Sequence, residues 1–256
     1  MLRSTFLHLP GVGWATEAQL WRAGVRDWAE LRQLAELPGV PADRRAAIDR
    51  TLDESEEALR ARNADWFCRR LPLAERWRLF PEFRDLTAFL DIETTALSPQ
   101  EGIVTVVGVH GGGATRAFIA YDDLEELPAY LQKFRLIVTF NGILFDLPFL
   151  EARFPYIRFP PAHIDLRFLL RRLGITGGLK RIEKELGLGD RSGVEGIEGA
   201  AAVRLWEDAR RGVPGALTKL VDYNRADCVN LEPLLDFAVR EMSHRLLPPA
   251  PIPSAK

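Results

Sequence analysis

The sequence predicts an α/β protein, a mixed sheet flanked by helices, preceded by a small all-α domain. Three observations predict it. Residues 1–62 carry helical periodicity broken by Pro-Gly turns, residues 86–140 carry apolar runs of strand length, and the remainder returns to helical period until a proline-rich end. The chain divides accordingly into a helical domain at 1–62, an aromatic connector at 63–84, an α/β domain at 85–247 and a frayed tail at 248–256.

At the start, Leu9-Pro10-Gly11-Val12-Gly13 is a turn, and Thr16, Glu17 and Gln19 open an amphipathic run through Leu20, Trp21 and Ala23 that stops at Gly24. Residues 27–37 place Trp28, Leu31 and Leu34 on one face, and 41–62 form a charged helix whose thin apolar stripe is Ile48, Leu52 and Leu59. The connector carries Trp66, Phe67, Trp77, Phe80 and Phe83 among arginines and prolines, a composition suited to docking one domain on the next. Strands are expected at 86–92, 103–110 and 115–120, the last two joined through Gly111-Gly112-Gly113. A helix at 123–132, an apolar strand at 136–140, an Asn141-Gly142 turn and a helix through Leu150 follow. The rest reads as largely helical, at 166–173, 179–186, 200–211 and about 214–246. No period of 20–50 residues repeats, which excludes a solenoid.

Composition bounds the function. The 256 residues are 47% hydrophobic and 27% charged, enough for a sizeable core. With 34 Lys+Arg against 36 Asp+Glu the net charge is −2, which excludes a uniformly basic nucleic-acid coat protein but permits a local basic patch. Two cysteines, Cys68 and Cys228, exclude a disulfide framework and make a reducing, cytoplasmic setting the expectation. The longest uncharged stretch, 102–115, is too short and too rich in glycine to span a bilayer, so no membrane partner is expected.

Chemistry begins at Leu90-Asp91-Ile92-Glu93. In a strand, residues two apart share a side, so Asp91 and Glu93 project together while Leu90 and Ile92 face the core. Two adjacent carboxylates repel, and a cation between them relieves that repulsion. Phe140-Asn141-Gly142-Ile143-Leu144-Phe145-Asp146 brings Asp146 to a helix N-terminus near the sheet edge, as a site acid or as a local cap. Tyr223 and Asp227, four apart, lie on one face of the long last helix, where a simple Tyr-Asp hydrogen bond is the alternative to a site. Four acids with no Cys or His among them select Mg²⁺ or Mn²⁺ over Zn²⁺. Asp165 reads as an N-cap for the helix that follows, with a role behind the site acids as the alternative. The four histidines show no ligand spacing.

In that order, Asp91-x-Glu93, Asn141-x-x-x-Phe145-Asp146 and Tyr223-x-x-x-Asp227 resemble the three motifs of the DEDD exonucleases of the RNase H-like superfamily, in the variety that carries tyrosine. The phrases Trp77-Arg78-Leu79-Phe80, Gly177-Gly178-Leu179-Lys180 and Leu205-Trp206-Glu207 are similar to those of its YprB-like branch. The resemblance implies an RNase H-like mixed sheet and a metal-dependent 3′-5′ exonuclease acting on DNA or RNA. It also implies two ions, one held by Asp91, Glu93 and Asp227, the second shared by Asp91 and reached by Asp146, with Tyr223 orienting the attacking water. A structure-specific endonuclease with the same acids, and a non-hydrolytic nucleic-acid-binding protein, are the rival readings.

Residues 153–184 carry eight bases, among them Arg167, Arg171, Arg172, Lys180 and Arg181, against Asp165 and Glu183. That run is suited to leading phosphates toward the acids, with a solvated helix face as the alternative. Together with Asn141 these five are the candidates for contact with nucleic acid, in particular a single-stranded 3′ end. Gly11 and Gly13, in a segment that looks like a helix-hairpin-helix, would offer backbone N–H groups to a phosphate.

Overall fold

A computed structural model describes residues 1–197 and 199–247, so the tail expected at 248–256 lies outside the described residues. The chain forms two units, one grouping Met1–Arg84 with the chain from Val239 onward, the other Asp85–Ala238.

The first unit contains α1 (Trp14–Arg22), α2 (Trp28–Gln33), α3 (Arg45–Arg60), α4 (Ala64–Cys68) and α5 (Phe80–Phe83). Its centre is polar as well as apolar. Arg78, with no exposed surface, donates from Nη1 to both carboxylate oxygens of Glu17 at 2.8 and 2.9 Å and from Nε to Glu75 at 2.5 Å. Glu17 also accepts from the backbone N–H of Phe6 at 2.7 Å, while the indoles of Trp21 and Trp28 donate to the carbonyls of Ser4 and Thr5. These side-chain bonds occupy the backbone groups that a helix ahead of Gly11 would need, and only a three-residue 3₁₀ turn, Leu2–Ser4, forms there. The helix-hairpin-helix expectation is corrected on this point: the glycine turn has a helix on one side only. Residues 63–84, expected as a connector, pack inside the same unit. Phe67, Trp77, Phe80 and Phe83 are buried, and Phe67 stacks on Trp28 with centroids 6.2 Å apart.

The second unit is built on a five-stranded sheet. It comprises β1 (Thr87–Thr94), β2 (Val104–Gly111), β3 (Ala114–Ile119), α6 (Leu127–Leu131), β4 (Leu136–Thr139), α7 (Asp146–Arg153), β5 (Ala162–Asp165), α8 (Leu166–Arg172), α9 (Leu179–Leu186), α10 (Gly199–Arg210) and α11 (Ala216–Leu246), whose last residues group with the first unit. The strand order is β3-β2-β1-β4-β5, antiparallel on the β3-β2-β1 side and parallel from β1 through β4 to β5. Gly112 and Gly113 both take positive φ, as the tight β2-β3 hairpin requires. β5 was not anticipated within the region read as helical. Leu90, Ile92, Val106, Val107, Val109 and Ile137 from the three central strands join Phe149, Leu150, Trp206 and Leu220 of α7, α10 and α11 in one apolar core. Among the described residues no helix is long and apolar enough to cross a membrane.

Candidate active site

β1 is the innermost strand, and its C-terminal half carries Asp91 and Glu93 out of the core that Leu90 and Ile92 anchor. α11 lies against the same strand. Asn224 of α11 donates from Nδ2 to the Asp91 carboxylate at 2.9 Å and to the Asp91 carbonyl at 3.1 Å. This approach depends on Gly108, which pairs with Asp91 across β1 and β2: a Cβ there would sit 2.3 Å from Asn224 Oδ1 and 2.5 Å from Cys228 Sγ. One turn of helix then delivers Tyr223 and Asp227 to the same place. Carboxylate oxygens of Asp91, Glu93 and Asp227 lie within 4.8 Å of one another, the one such group of metal-competent side chains among the described residues.

Asp146 arrives from the other side of β1. The turn between β4 and α7 puts Asn141 in the left-handed region at φ 70, and Asp165 at the end of β5 holds that turn by accepting from the N–H groups of Asn141 at 2.9 Å and Ile143 at 3.1 Å. The same carboxylate caps α8 through the N–H of Arg167 at 3.0 Å, as the sequence led us to expect. Asp146 is the first residue of α7 and almost fully buried, outside the closest triangle but near enough for its charge to push the pKa of Asp91 and Glu93 up.

Electrostatics mark the cluster as a site poised for cations. Burial, and then the charges of Asp227 and the other acids, push Asp91 well above the usual carboxylate range and Glu93 up to about 8. Burial lifts Asp146 to about 7 against the N–H bonds it receives from its own backbone and Ile92. Burial also raises Asp227, with Arg191 opposing. Such a set is all oxygen, charged only at a cost, and suits a hard divalent ion.

The Tyr223 hydroxyl accepts from Lys180 Nζ at 2.8 Å, and Lys180 also donates to the carbonyl of Ile197. Burial and the neighbouring acids push the tyrosine further from ionisation, so it keeps its proton. A cleft of about 560 Å³ opens over Asp91, Glu93, Tyr223 and Asp227 between Thr94–Leu97 and the start of α10, and a second of about 330 Å³ reaches Asp91, Tyr223 and Asp227 past Phe140, Gly178, Lys180 and Arg181.

Of the expected nucleic-acid contacts, Lys180 and Arg181 line that second cleft, Arg181 also pairing with Glu185 at 2.6 Å. Arg167 and Arg171 line a groove of about 400 Å³ with Leu144, Phe168, Thr176 and Gly177, and Arg167 donates to Asn141 Oδ1 at 2.6 Å. Arg172 is exposed on α8 outside these linings. Gly11, at φ +79, and Gly13, the N-cap of α1, belong to the first unit. Three residues of the site escaped the sequence reading: Asn224, Glu183 and Arg191. For Asn224 a signal existed, since a glycine inside the run Val106-Val107-Gly108-Val109 marks a close approach to the sheet.

A family model described as the RNase_H superfamily matches residues 88–239. Among solved structures, the family B DNA polymerase from the hyperthermophilic archaeon Pyrobaculum calidifontis aligns with 63% of this chain at 20% identity and a TM-score of 0.50; the chain spans 26% of that polymerase's length. Brucella melitensis NrnC aligns with 65% of the chain at 21% identity, over 77% of NrnC, with a TM-score of 0.43, and a structure described as the apo form of a nuclease aligns with 62% at 20% identity, over 73% of that chain, with a TM-score of 0.44. No curated protein matches.

Proposed function

The chain belongs to the RNase H superfamily, whose model spans more than half of it, and from that premise we propose that it is a divalent-metal-dependent nuclease that removes nucleotides from the 3′ end of DNA or RNA. One observation carries the proposal: three carboxylates from β1 and α11 meet beside a protonated tyrosine where two clefts open, with Asp146 of α7 near enough to perturb them. Asp91, Glu93 and Asp227 would hold one Mg²⁺ or Mn²⁺ ion, and Asp91 with Asp146 a second. Bound there, the pair of cations supplies an activated water and stabilises the departing 3′ oxygen.

The chain's own groups do the rest. Tyr223, its oxygen occupied by Lys180, keeps one hydrogen to donate and so orients the attacking water rather than deprotonating it. Asn224 holds Asp91 in place through two bonds. Arg181 beside the acids, and Arg167 and Arg171 in the adjoining groove, bind phosphates of a strand whose bases lie on Leu144 and Phe168, both exposed. Arg172, exposed on the same helix, adds charge beside that groove. Within the superfamily we place the chain in the YprB-like branch on its Trp77-Arg78-Leu79-Phe80 and Gly177-Gly178-Leu179-Lys180 phrases.

End-labelled single-stranded DNA and RNA, with free or blocked 3′ ends, test the proposal in Mg²⁺ or Mn²⁺. Laddering from free 3′ ends that stops at a blocked end is the expected result. Cutting of circular substrates would replace the exonuclease by an endonuclease at the same site, and binding with no metal-dependent product would sink both.

A further inference from the structure

The loop after α9 brings an arginine to the acid cluster that the proposed chemistry does not use. Arg191 donates from Nε to Glu183 Oε2 at 2.5 Å and from Nη2 to both Glu183 Oε1 at 2.8 Å and Asp227 Oδ1 at 2.6 Å. Glu183 is 3% exposed, and Arg191 Nη1 is buried. The loop that presents Arg191 is itself fixed. Asp190 exchanges bonds with Asn230 of α11 through its N–H at 3.0 Å and its carbonyl at 3.2 Å. Gly189, at φ +84, lies so close that a Cβ would sit 2.7 Å from the Asn230 amide. Asn230 is three residues beyond Asp227 on one helix, so the loop is tied to α11 within one turn of the carboxylate that Arg191 grips.

We infer that Glu183 and Arg191 form a charge-neutral clamp that fixes one oxygen of Asp227 and leaves the other for a divalent ion, an inference that rests on the metal-binding reading above. The forked contact to Glu183 is the deciding feature. It cancels the guanidinium's charge before that charge reaches the acid cluster, so Asp227 is oriented without a net cation competing for the site. It also holds Arg191 in place: swinging the guanidinium toward a substrate phosphate would strand a buried carboxylate. Arg191 is therefore a positioning residue, and the phosphate contacts fall to the arginines in the clefts.

The test is a Mn²⁺ titration of the full chain, followed by the electron paramagnetic resonance signal of free Mn²⁺, alongside kcat and KM on a single-stranded oligonucleotide. Glu183→Gln keeps the shape and uncovers the positive charge, so Mn²⁺ affinity should fall about tenfold. Replacing both partners, as Glu183→Gln with Arg191→Gln, restores neutrality and should recover most of that affinity while kcat stays low, because Asp227 is no longer held. Arg191→Lys, which cannot fork, should lower kcat with KM unchanged. Thermal midpoints in EDTA report folding independently of metal. Wild-type affinity for Mn²⁺ in Glu183→Gln, or wild-type kcat in Arg191→Lys, would overturn the clamp alone; wild-type protein that takes up no Mn²⁺ would overturn the metal reading and the clamp with it.

Discussion

The acid cluster makes a prediction about stability that needs no substrate. Glu93 is raised from its ordinary 4.5 to about 8, by burial first and by Asp227 next. A folded state with that property holds a proton that the unfolded chain has already released, so its contribution is greatest below about pH 4.5 and is lost as pH rises through about 8. At about 1.4 kcal/mol per pKa unit, titrating this one group from pH 6.5 to 8 removes on the order of 1 to 2 kcal/mol from the metal-free protein. The window starts at pH 6.5 because His8, whose burial lowers it to about 3, has by then delivered most of the stability it adds with rising pH, the unfolded imidazole being half neutral at its ordinary 6.5.

The experiment is urea unfolding by far-ultraviolet circular dichroism, in EDTA, at intervals from pH 6.5 to 8, on wild type and Glu93→Gln. Groups that do not interact with Glu93, His8 among them, cancel in the difference. Wild type should lose stability relative to Glu93→Gln across the window, on the order of 1 to 2 kcal/mol. Millimolar Mg²⁺ should reverse the trend for wild type, since an ion binds the deprotonated acids of the folded state. A difference that is flat or rises with pH in EDTA would refute the account of Glu93 as a carboxyl forced toward its neutral form.

Three further outcomes follow from the same geometry. Asp91→Asn should abolish hydrolysis while raising the unfolding midpoint in EDTA, because it replaces a buried carboxyl that ionises only at a cost by a neutral amide; retained activity would show that the cleft is not the site. Tyr223→Phe should lower kcat by about 10²-fold with little change in KM, as loss of a water-orienting hydroxyl does, and single-turnover kinetics separates this from slow product release. In the first unit, Glu17→Gln leaves the fully buried Arg78 short of a counter-charge and should cost about 3 kcal/mol in urea unfolding, whereas a surface pair such as Arg3–Glu56 should cost less than about 1 kcal/mol.

Sequence patterning exposed most of this molecule and missed parts of it for identifiable reasons. β1 to β4 are apolar runs whose alternation is visible, and the helices α9 to α11 carry their own period. β5 is four residues long and follows two prolines, too short for any period to declare itself. The aromatic run at 63–84 could be recognised as something to be buried, but composition does not say against what. Pattern singled out Asp91, Glu93, Asp146, Tyr223 and Asp227 as candidates because strand alternation, a helix start and i,i+4 spacing are local rules. Glu183 and Arg191 obey no local rule with Asp227: their relation exists only once the loop at 187–197 closes on α11.

Lys180 shows what that non-local closure changes chemically. In the sequence it is one of eight bases in a run that could carry phosphates. In the structure its ammonium donates to the Tyr223 hydroxyl and the Ile197 carbonyl, and its charge draws the pKa of Glu93 and Asp227 down, favouring their ionised forms. A cation placed so is part of the balance of the acid cluster, offsetting carboxylate repulsion before any ion binds. The charge available to a nucleic-acid strand is then narrower than the run suggests. Arg153 is engaged by Glu125 and Arg181 is shared with Glu185, whereas Arg167 and Arg171 line a groove without a carboxylate among its walls. Affinity for a strand should accordingly depend on these two arginines far more than on the count of bases between residues 153 and 184.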